Sequence, residues 1–268
     1  MDFSDFIAVV HKQFGLNLGA YKEKQLKRRI DNLRCSVGVD NYKEYFALLC
    51  TDPVQRAKFF DKITINVSEF FRNSDIFQAL EKIILPELCS SRRKLKIWSA
   101  ACSNGAEPYS IAIILNDGFP GISYKIDATD IDSNILAAAR VGVYDEKAVK
   151  GVSKARLQKY FVRDNKGFYR VTPEVKRHVV FSRHDLLGDK FKKGYDLIVC
   201  RNVMIYFTRQ TQEILYRKMY DSLVNGGVLF IGATENIIQY KDYGFEKVSH
   251  WFYRKSCPQQ EVRHLEVR

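Results

Sequence analysis

The 268-residue sequence contains no C-x-x-C pair; its six cysteines (Cys35, Cys50, Cys89, Cys102, Cys200 and Cys257) lie far apart. That spacing excludes a zinc ribbon and an evident disulfide framework, and it reads as a set of reduced, buried thiols. The five histidines, His11, His178, His184, His250 and His264, show no ligand spacing, so no metal site is expected. No apolar run approaches a membrane span. The opening MDFSDFIAVVHKQF places acids and an imidazole inside its apolar pattern and lacks the basic start of a secretion signal. These absences lead to the expectation of a soluble, cytoplasmic protein. Two nucleotide-binding signatures are also missing, the G-x-G-x-x-G turn and the Gly-Lys-Ser/Thr of a P-loop.

What is present is a globular composition, 46% hydrophobic and 13% aromatic, with a net charge of +12. The apolar content suffices for a sizeable core. The charge favours an acidic partner without choosing among nucleic acid, anionic membrane and acidic protein.

The most informative stretch is LKIWSAACSNGAEPYS, residues 95–110. It reads as a short apolar strand, a turn of small residues, an acid at Glu107, and an amphipathic helix with Pro108 suited to its first position. Small residues at a strand-to-helix turn let a ligand approach the backbone, as nucleotides do at the carboxyl ends of parallel strands. Glu107 beside a helix start would repel a pyrophosphate but would bind an ammonium. A nucleoside with a cationic amino-acid tail, S-adenosylmethionine, therefore fits better than a dinucleotide, and a dehydrogenase is disfavoured. Some two dozen residues on, YKIDATDI ends a second strand at Asp130, where a carboxylate would accept ribose hydroxyls; Asp132 is the alternative, or the cap of the following helix.

Before this stretch the chain reads as helical, with a polar hinge at Ser90–Arg93 and a boundary near residue 90. Residues 22–34 carry Lys22, Lys24, Lys27, Arg28, Arg29 and Arg34 against Glu23 and Asp31. They form either a solvated face or a docking surface for an acidic partner. In ITINVSEFFR, Asn66, Ser68 and Arg72 gather an amide, a hydroxyl and a guanidinium near a cleft; spacing alone slightly favours the alternative, a helix start capped by Ser68 with a solvated Arg72. Cys102 as a nucleophile is disfavoured, because no histidine lies near it in sequence.

After it, residues 142–178 break the strand–helix alternation, and FVRDNKGFYRV predicts a hairpin in a small antiparallel insertion. Strands follow at 179–181, 195–200 and 228–232, with a turn at Gly226-Gly227 and a closing antiparallel pair at 245–248 and 251–254. Together these predict an α/β fold, the class I methyltransferase sheet.

The motifs ITINVSEFFR, KIWSAACSNGAEPYSIA, ATDIDSNIL and CRNVMIYF, in that order, resemble the CheR family of chemotaxis-receptor glutamate O-methyltransferases. The resemblance implies a small all-helical N-terminal domain (1–90) and a Rossmann-like methyltransferase domain (91–268) with a β-subdomain inserted at about 142–178. It implies S-adenosylmethionine as cofactor and S-adenosylhomocysteine as product. By match to the family's motifs, Asn66, Ser68, Arg72, Glu107, Asp130, Asp185, Leu186, Asn202 and Val203 would bind the cofactor. Arg72 and Tyr206 would stand at the reacting centre. The implied partners are receptor methylation helices, met by the basic helix and the β-subdomain, which would bring a cytoplasmic enzyme to membrane receptor arrays. The short turn Asp164–Gly167 suggests docking that does not depend on a receptor-tail pentapeptide. This chain has Ser68 where the family often has Thr, Asp185 where it often has Asn, and Asn104-Gly105-Ala106 where it often has Thr-Gly-Glu. A nucleic-acid methyltransferase is the runner-up. The Asp/Asn-Pro-Pro-aromatic turn common in enzymes that methylate exocyclic amines is absent from Asn202–Tyr206, so no nucleic-acid partner is expected. A non-catalytic adaptor would be expected to lose Glu107, Asp130 or Arg72, and all three are here.

Overall fold

The computed structural model describes residues 1–65 and 68–256. Four helices open the chain: α1 (Phe3–Phe14), α2 (Glu23–Ser36), α3 (Tyr42–Thr51) and α4 (Pro53–Thr64). Their limits follow local chemistry. Asp2 and Asp5 close a reciprocal capping box on α1, which ends at Gly15 with φ 70°. Asn41 caps α3, and Asp52 caps α4 ahead of Pro53. Phe6, Val10, Leu26, Ile30, Tyr45, Leu49, Phe59 and Ile63 point inward and form one apolar core.

Helices α5 (Ser74–Ala79) and α6 (Leu85–Ser91) are joined by a π-helical turn, Leu80–Ile84. Pro86 in the first turn of α6 lacks a backbone N–H, and a widened turn accommodates such a residue without breaking the rod. Ile76, Phe77, Leu80, Ile84, Leu85 and Leu88 pack into the core under the sheet and not into the helical one. The two cores thus meet between Ile63 and Phe70, earlier than the division expected near residue 90. Charged residues at 92–93 mimic a linker in sequence, whereas apolar burial decides which unit a helix joins.

The strands are β1 (Lys94–Ala100), β2 (Ser123–Asp130), β3 (Val143–Tyr144), β4 (Phe161–Arg163), β5 (Tyr169–Val171), β6 (Val179–Arg183), β7 (Tyr195–Cys200), β8 (Leu223–Ile231), β9 (Phe245–Lys247) and β10 (Phe252–Lys255). The main sheet runs β6-β2-β1-β7-β8-β10-β9. Its first five strands are parallel, and β10 and β9 pair antiparallel. Every residue of β7 is buried, as a strand covered on both faces must be. Helices α7 (Ala106–Gly118), α8 (Ser133–Val141), α9 (Lys154–Tyr160), α10 (Pro173–Lys176) and α11 (Arg209–Ser222) complete the chain. The register aligns the strand tips: Ala100 pairs with Thr129 and Cys200, and Cys200 with Ile231. The segments after β1, β2, β6, β7 and β8 therefore leave along one rim.

The insertion is a three-stranded sheet, β3-β5-β4, whose hairpin turn is closed by Asp164 Oδ1 accepting from the N–H groups of Lys166 and Phe168. It seats on the interdomain segment. The Phe70 ring lies 4.8 Å from Tyr144 and 5.0 Å from Phe161, and the Phe70 N–H donates to Ala148 O.

Two expectations need correction here. The Gly226-Gly227 pair lies inside β8 at a shift in its register with β7, not in a turn before it. A Cβ on Gly227 would come within 2.9 Å of Val224 O and 3.0 Å of Tyr195 O, so the glycines permit a close backbone approach. Of the cysteines, Cys102 and Cys200 are buried, but Cys35 and Cys50 are exposed and Cys89 half-buried. Cys257 lies outside the described residues. Among the described residues no helix is long and apolar enough to cross a membrane.

Candidate active site

The shared rim of strand tips, roofed by the helical domain, encloses a cleft of about 1160 Å³ including its open mouth. Ser68, Arg72, Glu107, Asp130, Asp185, Leu186, Asn202, Val203 and Tyr206 all line it. Asn66 lies outside the described residues.

Its floor is the turn after β1. Ala101, Ser103 and Gly105 have φ of 59°, 50° and 85°. Two non-glycine residues in the left-handed region each cost about 1–2 kcal/mol, a strain that concentrates at functional sites. The curl brings the Ser103 N–H to Asp130 Oδ2 at 2.8 Å. Helix α7 begins at Ala106, so Pro108 is its third residue and not its first; its missing N–H still falls among the unpaired first four. Asp132 caps α8, leaving Asp130 as the rim acid.

Two of the acids that line the cleft, Glu107 and Asp130, are buried. Glu107 accepts from Ser99 Oγ at 2.8 Å and faces Arg201 Nη1 across 3.4 Å. Asp130 accepts from Ser103 and, at 3.1 Å, from the Asp132 N–H. Burial pushes both carboxyls above their ordinary range; the guanidinium opposes this at Glu107, and backbone N–H groups oppose it at Asp130. The thiol of Cys102, wholly buried beside both acids, is pushed well above its ordinary value, so it stays a protonated, poor nucleophile.

The roof comes from residues 20–29 and 68–73. The Lys22 N–H donates to Tyr206 O at 2.8 Å, and the Thr208 N–H to Ala20 O at 2.9 Å. The Arg29 guanidinium lies 5.5 Å above the Tyr206 ring and donates to Ile63 O. Ser68 does not cap a helix. It precedes a non-helical segment, its carbonyl accepts from Asn104 Nδ2, and α5 starts six residues later, so the capped-helix alternative for this segment is not what forms. The basic stripe is also divided. Arg34 is turned inward to Val39 O and the Tyr42 ring, Arg29 is half-buried against Tyr206, and Lys24, Lys27 and Arg28 remain exposed.

Several site residues were not singled out in the sequence. Arg201 is buried, and its Nη2 donates to Arg72 O at 3.0 Å and Asn73 Oδ1 at 3.1 Å. It stands in the CRNVMIYF motif, but nothing in the string says that it turns towards Glu107. Tyr21 and His184 line the cleft and carry no motif signal at all. Among the described residues, Ser103 Oγ, His184 Nδ1 and Arg201 Nε are buried without a hydrogen-bond partner, and all three residues line this cleft. Buried polar groups are ordinarily paired, so these atoms fit a polar ligand here. Buried acids together with apolar Leu186 and Val203 in one lining suit a molecule with a cationic end, a ribose and a flat base.

A family model described as "CheR methyltransferase, all-alpha domain" matches residues 1–64, and one described as "CheR methyltransferase, SAM binding domain" matches residues 66–252. The chain belongs to the CheR methyltransferase family. A chemotaxis protein methyltransferase of Listeria monocytogenes is 43% identical over 256 residues, covering 95% of this chain and 97% of that protein. Its namesake in Borreliella burgdorferi is 35% identical over 249 residues, covering 88% of each. That in Salmonella typhimurium is 34% identical over 245 residues, covering 87% of this chain and 83% of the relative. S-adenosylmethionine is thus the cofactor of this CheR-family enzyme, and its sheet domain is the cofactor-binding domain. The two family models meet where the two apolar cores do.

Proposed function

We propose that this enzyme transfers the methyl group of S-adenosylmethionine to glutamate side-chain carboxylates of chemotaxis receptors, forming methyl esters in sensory adaptation. One observation carries the reading. A cleft lined by two buried acids, Glu107 and Asp130, together with Arg72 and Tyr206, lies next to the basic helix α2, so a cationic nucleoside and an anionic acceptor can meet there. Chemotaxis methyltransferase relatives support the receptor as substrate.

In this reading Glu107 holds the ammonium of the cofactor, Asp130 its ribose, and Asp185 and Leu186 border its base. Ser68, Asn202 and Val203 complete its cradle. The cofactor supplies a methyl carbon activated by a sulfonium charge. A glutamate carboxylate is already ionised at neutral pH, so no residue has to act as base. Bound there, the cofactor would give its methyl to the carboxylate oxygen and be released as S-adenosylhomocysteine, with no proton for any residue to take up or supply. What remains for the protein is alignment. Arg72 pairs with the incoming carboxylate and aims it, and Tyr206, fixed under Arg29, bounds the methyl side.

Docking is assigned to exposed Lys24, Lys27 and Arg28 of α2 together with the β3-β5-β4 subdomain, drawing the enzyme to receptor arrays without a receptor-tail pentapeptide. The test is transfer of labelled methyl to receptor-containing membranes and, in parallel, to RNA. Base-labile label on protein supports the reading; base-stable label, or label on RNA alone, refutes it. Tight binding of an isolated receptor-tail peptide would overturn the tail-independent mode.

A further inference from the structure

Glu235 follows the tip of β8, lines no part of the cleft and belongs to none of the motifs above, yet the residue is 7% exposed and its carboxylate is crowded with donors. Its Oε2 accepts from the Gly232 N–H at 2.6 Å and the Asn202 N–H at 3.0 Å, and its Oε1 from the Met204 N–H at 3.0 Å. Burial pushes its carboxyl above the ordinary range, and the N–H groups of Gly232, Asn202, Met204 and Ile205 oppose this. Donors from 202–205, the loop that follows β7, thus converge on one anion from β8. Gly232 lets this happen: a Cβ there would lie 2.6 Å from Glu235 Oε2 and 2.9 Å from the Asn202 nitrogen. Asn202 is held at φ 59°, a conformation that needs outside support.

We propose that Glu235 is a positioning residue for methyl transfer, fixing the loop that carries Asn202 and Val203 towards the cofactor and Tyr206 towards the acceptor. The inference rests on the function proposed above. The chemistry requires a carboxylate, because every neighbour is a donor and an ionised acid is acceptor-only. A glutamine would turn an N–H₂ against one of these N–H groups and push the loop off register. The far end of the loop is tied to the helical domain through Lys22 and Ala20, so the change should displace the loop without unfolding the sheet.

The test compares Glu235→Gln with wild type. Cofactor-product affinity is measured by calorimetry, turnover on receptor membranes at saturating cofactor, and amide hydrogen exchange on the free protein. The expected result is about tenfold weaker S-adenosylhomocysteine binding. A misplaced reacting geometry should also lower kcat about a hundredfold even when the cofactor site is full. The amides of Asn202 and Met204 should exchange slowly in wild type and fast in the variant, with those of β7 unchanged. Wild-type affinity and kcat in the variant overturn the proposal. So does a kcat fully recovered at saturating cofactor, or a loss matching the unfolded fraction. If the variant does not fold, unprotected Asn202 and Met204 amides in wild type overturn it. A wild-type enzyme that esterifies no receptor would sink the proposed function instead, while the affinity and exchange measurements, which need no acceptor, still decide Glu235.

Discussion

Replacing Arg201 with methionine keeps a long apolar stem against Phe77 and Phe230, whose rings lie 5.2 and 4.8 Å from the guanidinium, but removes the charge opposite Glu107. Breaking a buried ion pair from one side costs about 3–5 kcal/mol, since the remaining charge stays desolvated. The 3.4 Å separation is long for such a pair, so the lower end, about 3 kcal/mol, is expected. For a chain of this size that corresponds to a melting point about 6–12 °C lower. The sign with pH follows from Glu107. Burial already raises its carboxyl above the ordinary value, and loss of the guanidinium raises it further. A raised acid contributes stability that is complete below its ordinary value and is lost as pH rises through the folded-state value. The deficit of Arg201→Met should therefore be larger at pH 8 than at pH 5, since acidification favours the protonated Glu107 that burial already favours. Arg201→Lys, which keeps the charge but not the fork, should fall between. Thermal melts at both pH values check this. A variant that melts with wild type throughout, or a gap that widens on acidification, would refute the reasoning.

Asp130→Asn keeps an acceptor for the Ser103 N–H but removes the charge, so S-adenosylhomocysteine should bind ten- to a hundredfold more weakly by calorimetry, with little change in melting. Tyr206→Ala should leave cofactor affinity within about twofold while initial rates of methyl transfer fall about tenfold or more, because the ring that bounds the methyl side is lost while the backbone tie to Lys22 is kept. Gly151→Ala would place a Cβ 2.5 Å from Phe70 O, a backbone atom that cannot swing away. It should cost about 1–3 kcal/mol of stability, read by denaturant melts, and loosen the β-subdomain from the interdomain segment. On the proposed role of Glu107 as partner of the cofactor's ammonium, the melting-point gain on adding S-adenosylhomocysteine should be larger at pH 8 than at pH 5, followed by scanning fluorimetry.

Much of the site could be read because its parts are local in sequence. The strand–turn–helix around Glu107, the acid ending β2, and the segment after β7 each announce themselves within about ten residues, and the parallel register then sets them side by side on one rim. Arg201 and Glu235 could not be found in this way. Each acts through partners 94 and about 30 residues distant, and a charged side chain in a string carries no sign of whether it will be buried against another charge.

The amino-acid order by itself determined the elements and the family. Capping residues, apolar periodicity and small-residue turns are encoded over one or two turns of chain, and a chemotaxis protein methyltransferase is 43% identical to this chain over nearly its whole length. Tertiary structure alone decided which core claims the 74–91 helices, why two glycines sit within β8, and which basic residues of α2 stay in solvent. It also decided that a carboxylate far from any motif gathers the loop bearing Asn202 and Tyr206. Each of these depends on which distant groups exclude water from one another, a property of the packed molecule that no short stretch of sequence contains.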